Sequence, residues 1–248
     1  MRDTRKLRSY DSRRKTSFFP NFSVTTWIII ANVAFFVLFY PVMIFSQQYC
    51  EESFAHESCY WKYVAIQPSA IMQGQYLWTI ITNIFMHASF AHLLINMFVL
   101  FSLGGLCEKI IGRKRFFWFY LVSGIIAGLS FVFFAYFFGN NPLGQRIFGA
   151  PFSPAVGASG AIFAVAGLFM ILTPRLRFTI IFLPFFSLPA YIMIPLVLVL
   201  TWVISVSAGF GVGNTAHFGG FLVGVAYALY LRHKYKRKTK MIERYFSR

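Results

Sequence analysis

Six apolar runs separated by polar segments limit most strongly what this chain can fold into. They cover Val24–Phe45, Phe90–Leu106, Phe116–Phe138, Ser159–Leu172, Pro189–Val206 and Thr215–Leu231. An apolar run of about 20 residues crosses a bilayer as a helix. Only 12% of the 248 residues are charged and 58% are hydrophobic, which is too little charge to cover a water-facing surface. The sequence therefore excludes a soluble enzyme, a disordered protein and a disulfide scaffold, and it predicts an all-α polytopic membrane protein with six transmembrane helices.

Basic residues are concentrated near the chain ends and after the second and fourth runs. An even number of spans places both termini on the same side of the membrane. If that side is the cytoplasm, the cytoplasmic segments hold 21 Lys and Arg. The external segments hold only Lys62 and Arg146. This bias is the positive-inside signal, so the net charge of +16 indicates topology rather than nucleic-acid binding. The predicted organisation is a basic cytoplasmic tail over 1–23, a membrane domain over 24–231 and a second basic cytoplasmic tail over 232–248.

Two segments between the spans are predicted to lie at the membrane interface. The external segment 46–89 is long, and its part from Trp61 to Trp78 is apolar and rich in aromatic side chains. The segment Phe178–Leu188 contains Pro184, and proline breaks helices. We therefore expect Phe178–Leu188 to be irregular or interfacial.

Two of the three cysteines, Cys50 and Cys59, lie in the external segment. An oxidising compartment would allow them to form a disulfide that closes a short loop. Two unpaired thiols fit the sequence equally well. Cys107 lies at the cytoplasmic end of the second span, where no second cysteine is present.

Few polar side chains interrupt the apolar runs, and three of them share one depth. His92, Ser159 and His217 each lie 15 or 16 residues before a charged residue at the cytoplasmic end of their span. At about 1.5 Å per residue they sit roughly 23 Å above that boundary, near the outer face of a core about 30 Å thick. One such residue alone is commonly an interhelical hydrogen-bonding group. Three at one depth favour a single site.

Small residues beside Ser159 and His217 favour close packing of their helices. Gly160, Ala164 and Gly167 share one face of the fourth span, and Gly220 and Gly224 follow His217 at helical spacing. A serine is a weak nucleophile until a base takes its proton, and His217 is at the right depth to be that base. No Asp or Glu lies within the six runs, so the predicted arrangement is a Ser–His dyad rather than a triad.

The same outer region offers donors for an oxyanion. Ser159 begins a helix, where backbone N–H groups have no intrahelical acceptor. His92 and Asn96 are four residues apart and therefore lie on one helix face. These groups complete a set that can hydrolyse a peptide bond at a membrane face.

Three motifs in this order resemble those of the rhomboid family of intramembrane serine proteases. They are the G-x-S-G motif Gly157-Ala158-Ser159-Gly160, the H-x-x-x-N motif from His92 to Asn96 preceded by His87, and the A-H-x-x-G-x-x-x-G motif from Ala216-His217 through Gly220 to Gly224. The segment Gly104–Glu108 with Gly112 is also similar to that family, and the resemblance covers Pro68 to Leu231. It implies a rhomboid-like six-helix bundle in which Ser159 is the nucleophile and His217 the general base. His92 and Asn96 would help to bind the oxyanion, together with the backbone N–H of Ser159, and Gly157, Gly160, Phe163, Gly220 and Gly224 would support the site.

The resemblance also implies partners and a location. The substrates would be single-span transmembrane proteins, cut near the outer boundary of the cell membrane by an active site that opens to the external side. The surrounding lipid bilayer is the other expected partner. No cofactor, metal or nucleic-acid partner is expected. The family's mobile gate maps onto the fifth span and the loop Ser207–Gly213.

Two positions depart from the family pattern. The family usually has Trp-Arg in the first external loop, where this chain has Trp78-Thr79. It often has Tyr four residues after the serine, where this chain has Phe163. The first departure affects how that loop is anchored, and the second removes a hydroxyl but keeps an aromatic ring.

Three other interpretations are open at this point. An inactive relative would act as a membrane chaperone or scaffold, although such relatives usually lose the Ser or the His. A small transporter needs polar groups through the midplane, whereas here they stop in the outer half. A metal site built from His87, His92 and His217 lacks an intramembrane carboxylate or a nearby Cys to complete the ligand shell.

Overall fold

The computed structural model describes residues 22–51, 61–180, 183–209 and 213–246, and helices predominate in them. The elements in chain order are α1 Val24–Glu51, α2 Trp61–Val64, α3 Pro68–Met72, α4 Thr79–Thr82, α5 Phe90–Ile111, α6 Arg113–Phe138, α7 Pro142–Phe148, α8 Ser159–Leu172, β1 Arg177–Ile180, β2 Leu183–Pro189, α9 Ala190–Ala208, α10 Asn214–Lys234 and α11 Lys236–Tyr245.

Four helices of the described chain are long and apolar enough to cross a membrane. They are α1 over Val24–Val42, α5, α6 and α9. The protein is therefore a polytopic membrane protein. Helix α8 is apolar but only 14 residues long, and α10 is not among the four.

The ends of the helices agree closely with the sequence prediction at some positions and differ at others. The second predicted span begins at Phe90 as expected, and the fourth occupies Ser159–Leu172 as expected. Helix α1 continues to Glu51, so its last turns occupy the start of the predicted loop 46–89, and α5 continues to Ile111. Polar residues at a helix end do not stop the hydrogen-bond ladder, so an apolar run underestimates helix length.

The described residues of the segment Phe178–Leu188 belong to two strands, so the irregular alternative for this segment is wrong, whereas the interfacial alternative stays a prediction. Strands β1 and β2 pair antiparallel, with Phe178 opposite Leu188 and Thr179 opposite Ser187. The Arg177 guanidinium donates to the hydroxyl and the carbonyl of Ser187. Both strands of a two-stranded sheet are edge strands, where prolines are tolerated because one side of each strand is unpaired.

The core lies where α5, α6 and α8 meet. Among its largest fully buried side chains are Phe116, Tyr120, Leu168 and Phe169. Helix α8 makes its most extensive contact with α10 and also packs on α6 and α5. The start of α8, next to the buried Ala158, is therefore held at the centre of the bundle.

The segment before α5 is hydrogen-bonded to the loop that leads into α8. Ile66 and Ala155 form a two-bond bridge, with N···O distances of 3.0 and 2.9 Å. Ser69 donates its backbone N–H and its hydroxyl to the Pro151 carbonyl. These contacts fix the chain just before Ser159. Cys59 and the side chain of Cys50 lie outside the described residues, so their disulfide stays a prediction, whereas Cys107 is buried and free.

A carboxylate from α5 caps the start of α1. Glu108 accepts hydrogen bonds from the backbone N–H groups of Val24 and Thr25 and from the Thr25 hydroxyl, at 2.9 to 3.0 Å. The Arg113 guanidinium lies 3.5 Å from the same carboxylate and donates to the Phe22 carbonyl. The first N–H groups of a helix have no intrahelical partner, so this contact satisfies two of them.

Candidate active site

Ser159 is the first residue of α8, and the backbone before it explains why the helix begins there. Gly157 has φ of +133°, a conformation that side chains with a Cβ rarely adopt. Its N–H donates to the Asn83 carbonyl at 2.8 Å, which holds this turn against the segment before α5. Ala158 makes no side-chain cap in the described structure, so N–H groups of the first turn are free to bind an anion.

Helices α8 and α10 approach backbone to backbone beside Ser159. A methyl group on Gly220 would overlap the Gly160 carbonyl, and one on Gly224 would overlap the Ala164 carbonyl. Only glycine permits such an approach at these two positions. The close packing predicted from the small residues therefore exists, and it brings the first turns of the two helices together.

The Ser159 Oγ and the His217 Nε2 are 2.7 Å apart, which is a hydrogen-bond distance. If Nε2 accepts the serine proton, the other ring nitrogen of His217 carries the hydrogen. That Nδ1 is buried and has no hydrogen-bond partner among the described residues. Ser159 and His217 thus form a two-residue contact, and among the described residues no third side chain orients the imidazole through a hydrogen bond to Nδ1.

The ring of Phe163 takes the place of an orienting hydrogen bond. It stacks on the His217 imidazole with centroids 4.6 Å apart and an angle of 27° between the planes. Phe163 is one helical turn after Ser159 on α8, so the same helix carries the hydroxyl and the ring that supports its partner. The stacking expected at this position is present without the tyrosine hydroxyl.

His92 and Ser159 both lie beside Gly157. Its Nε2 lies about 3.1 Å from where a Cβ on Gly157 would be, so a side chain at Gly157 would displace the imidazole. The His92 Nδ1 accepts the Ala88 N–H at 3.4 Å. An accepting Nδ1 in a neutral ring leaves the hydrogen on Nε2, so the donor is the ring nitrogen that lies beside Gly157, next to Ser159.

Asn96 lies one turn after His92 and is buried. Its side-chain N–H donates to the His92 carbonyl at 2.9 Å, so part of its hydrogen-bonding capacity is used within α5. An amide nitrogen carries two hydrogens, and the second is available for another acceptor. Among the described residues, the Asn96 side chain makes no hydrogen bond to Ser159 or His217.

Three further residues contribute to the site and were not assigned a role from the sequence. The ring of His87 is buried and makes an edge-on contact with His92, with centroids 5.1 Å apart. The Ser89 hydroxyl accepts the His92 N–H and caps α5, which the pattern of a serine before an apolar run could have indicated. Asn83 carries the carbonyl that binds Gly157, and a backbone contact of that kind leaves no sequence signal.

The region predicted to act as a gate is attached to the bundle by few polar contacts. The Trp202 indole N–H of α9 donates to the Ile147 carbonyl at 3.1 Å, and its ring lies 6.1 Å from that of Phe218. Near the start of α10, Asn214 donates to the Ser205 hydroxyl at 2.6 Å. Residues 210–212 of the predicted gate loop lie outside the described residues.

The described residues contain no group of three or more His, Cys, Asp or Glu side chains placed to hold a metal ion. Of the three histidines considered as metal ligands, His217 contacts Ser159, whereas His87 and His92 contact each other. The geometry brings together Ser159, His217, His92, Gly157 and Phe163 at the start of α8.

Comparison with known proteins places this geometry in a wider context. The human presenilin-associated rhomboid-like protein, mitochondrial, is 31% identical over 151 residues, which cover 59% of this chain and 36% of that protein. The rhomboid protease GluP of Bacillus subtilis is 31% identical over 163 residues, or 64% of this chain and 27% of that protein. RHOMBOID-like protein 5 of Arabidopsis thaliana is 30% identical over 175 residues, or 69% of this chain and 50% of that protein.

The aligned region spans half or less of the length of each of these three relatives. The family profile of the Rhomboid domain matches residues 74–234, which include α5, α6, α8, α9 and α10. That match covers well over half of the chain and contains Ser159 and His217. The chain therefore belongs to the rhomboid family.

Proposed function

We propose that this protein is an intramembrane serine endopeptidase that cleaves transmembrane proteins with a Ser159–His217 dyad. The observation that carries the proposal is the 2.7 Å contact between the Ser159 Oγ and the His217 Nε2. Membership of the rhomboid family and similarity to the protease GluP support it. Its relatives also include proteins named only as rhomboid-like, so activity has to be tested directly.

In this mechanism the His217 Nε2 takes the hydroxyl proton as the Ser159 Oγ attacks the scissile carbonyl. The negative charge that forms on the carbonyl oxygen meets the Ser159 backbone N–H, the His92 Nε2–H and the free amide hydrogen of Asn96. Collapse of this intermediate breaks the C–N bond, and the imidazolium gives its proton to the leaving amine. Water then attacks the acyl ester with His217 again as the base, which releases the acid and restores the serine.

The proposal includes an arrangement in the membrane. Helices α8 and α10 would cross together with the four long apolar helices, giving six spans with both termini in the cytoplasm and basic tails at 1–23 and 232–248. The domain 24–231 would then open its active site to the external side of the cell membrane. The substrates would be single-span membrane proteins that reach the site through the bilayer, and neither a metal nor a nucleic acid would take part.

The first test replaces the nucleophile. We expect Ser159→Ala to reduce cleavage of a reporter transmembrane segment to background and to abolish labelling by a fluorophosphonate, with the fold retained. Ser153→Ala is the matched control, because Ser153 is exposed in the loop just before α8. Cleavage by Ser159→Ala at the rate of the unmodified protein would falsify the assignment. Absence of both labelling and cleavage in the folded unmodified protein would favour the inactive scaffold instead.

A second test concerns the class of chemistry. We expect serine-directed reagents to inhibit the protein and EDTA and pepstatin to leave its activity unchanged, because the proposed reaction uses a hydroxyl and an imidazole. The measurement is the initial rate of reporter cleavage after each treatment. Inhibition by EDTA that is reversed by added Zn²⁺ would contradict the dyad mechanism.

A further inference from the structure

A groove lined by basic side chains lies at the end of the bundle opposite Ser159. We call it the α10–α11 groove; it has a volume of about 330 Å³ and is lined by Leu229, Arg232, His233, Lys236, Thr239 and Lys240. None of these six described residues is acidic. Arg232, Lys236 and Lys240 follow one another at four-residue intervals across the junction of the helices, where like charges repel unless an anion lies between them.

The two helices that form the groove are held in a fixed relation. The backbone turns at Tyr235, whose N–H donates to the Leu231 carbonyl at 2.8 Å. The Arg115 guanidinium lies over the Tyr235 ring, 5.6 Å from its centroid. Thr239 is buried, and its hydroxyl donates back toward the Tyr235 carbonyl at 3.2 Å. The groove is therefore formed before any ligand binds.

Its position places the groove at the level of lipid headgroups. Arg115 is in the first turn of α6, a helix long and apolar enough to cross a membrane, and α5 ends close by at Ile111. The contact between Arg115 and Tyr235 thus puts the α10–α11 junction at the same boundary. On α11 the large side chains of Met241 and Tyr245 are 70% and 77% exposed, one helical turn apart. Exposed apolar side chains beside lysines are typical of a helix that lies on a membrane surface.

We propose that the α10–α11 groove binds the headgroup phosphate of an anionic phospholipid from the adjacent leaflet. Arg232, Lys236 and Lys240 would bind the phosphate, and the half-exposed Leu229, on the bilayer side of these cations, would contact the first methylenes of the acyl chain. Basic pockets at the membrane boundary recognise anionic headgroups in this way. This site is distinct from the peptidase site and does not depend on it.

The test compares two double variants that remove the same charge from the same helix. Lys236→Gln with Lys240→Gln removes two lining residues, whereas Arg237→Gln with Lys238→Gln removes two exposed residues outside the lining. The full-length protein is titrated in micelles with phosphatidylglycerol or with phosphatidylcholine of the same chains, and bound lipid is counted by native mass spectrometry. Thermal unfolding of each variant is measured on the same preparation.

We expect the lining variant to lose roughly 10-fold or more of its preference for phosphatidylglycerol, because each cation at a membrane surface contributes severalfold in affinity. The control variant should keep the preference within about twofold. Equal losses in both variants would mean diffuse attraction to a basic helix and would overturn the proposal, as would no loss in either. Displacement of the lipid by inorganic phosphate alone, or by a single-stranded oligonucleotide, would assign the groove to a different ligand and overturn it as well.

Discussion

Helices α8 and α10, which carry Ser159 and His217, differ from the four long helices around them. Ten of the 14 residues of α8 are buried, whereas only five of the 19 residues of α9 are. Helix α10 contains three glycines and several polar residues, while α1, α5, α6 and α9 meet the length and composition expected of a membrane span. Helix α8 is thus mostly enclosed by its neighbours, and α10 is the less apolar of the two helices that hold the site.

This difference has a physical basis. A dyad needs two side chains fixed about 2.7 Å apart, and contact of two backbones through glycine fixes them better than contact of long flexible side chains. Helix α8 is only 14 residues long and mostly buried, so it offers little surface to lipid itself. Helices α8 and α10 set the geometry of the site, and the four long helices provide much of the interface with the bilayer.

The largest effect is expected from a side chain placed between α8 and α10. In Gly220→Val the new Cβ would overlap the Gly160 carbonyl, so the backbones must separate by more than about 1 Å. We expect cleavage to fall on the order of 10³-fold, since a misplacement of about 1 Å alone costs about 10²-fold. Initial cleavage rates and the Tm of both proteins measure this.

The control for that change lies on a long helix. A methyl group on Gly105 of α5 would meet no atom of the described chain within 4 Å. Gly105→Val should therefore change the rate and the Tm little. Comparable losses of cleavage rate and Tm in Gly220→Val and Gly105→Val would show that the contact of α8 with α10 is no more sensitive to an added side chain than the long helices are.

An intermediate effect is expected from Asn96, whose side chain donates to a backbone carbonyl of its own long helix, α5. Asn96→Ala should lower kcat about 10²-fold with little change in KM, because its second amide hydrogen would meet charge that exists only in the transition state. The donors at Ser159 and His92 keep some activity, so the loss should be smaller than for Ser159→Ala. Measurements of kcat, KM and thermal unfolding on one preparation distinguish this role from a structural one. A rise in KM at constant kcat, or instability that explains the whole loss, would contradict it.

The smallest effect is expected at α9. Trp202→Phe removes the hydrogen bond to the Ile147 carbonyl but keeps an aromatic ring. If α9 limits the entry of a transmembrane substrate, loosening it should raise kcat/KM about two- to fivefold, the range expected for one hydrogen bond. Trp118→Phe on α6 is the control, because Trp118 is exposed and far along the chain from the site. A lower kcat/KM for Trp202→Phe alone would mean that α9 supports the site instead of limiting access.

Sequence patterns predicted the long helices and the start of α8 well, because an apolar run and its ends are local properties of the sequence. They did not predict α7, which is only seven residues long, or the β1–β2 hairpin, whose prolines suggested irregular structure. They also treated residues 232–248 as a tail, although α10 continues to Lys234 and α11 follows. A basic segment signals membrane topology, and that signal says nothing about whether the segment is helical.

The pairing of Ser159 with His217 followed from equal depth and small neighbours, and both are properties of sequence spacing. Which ring nitrogen of His92 carries the hydrogen could not be predicted from the sequence, because it depends on a hydrogen bond from the Ala88 N–H in a turn. Glu108 served in the sequence only as a marker of the membrane boundary. In the structure it is buried and binds another helix, a contact between residues 84 positions apart that no local pattern encodes.

The Glu108 contact has a consequence for how the protein is assembled. The Val24 and Thr25 amides leave the ribosome long before Glu108 does, so these two N–H groups lack their carboxylate partner while α1 enters the bilayer. The contact that fixes the start of α1 against α5 forms only after α5 has been synthesised. Insertion of the first helix and its fixation in the bundle are therefore separate events in biogenesis, and the second of them depends on the synthesis of the next long helix.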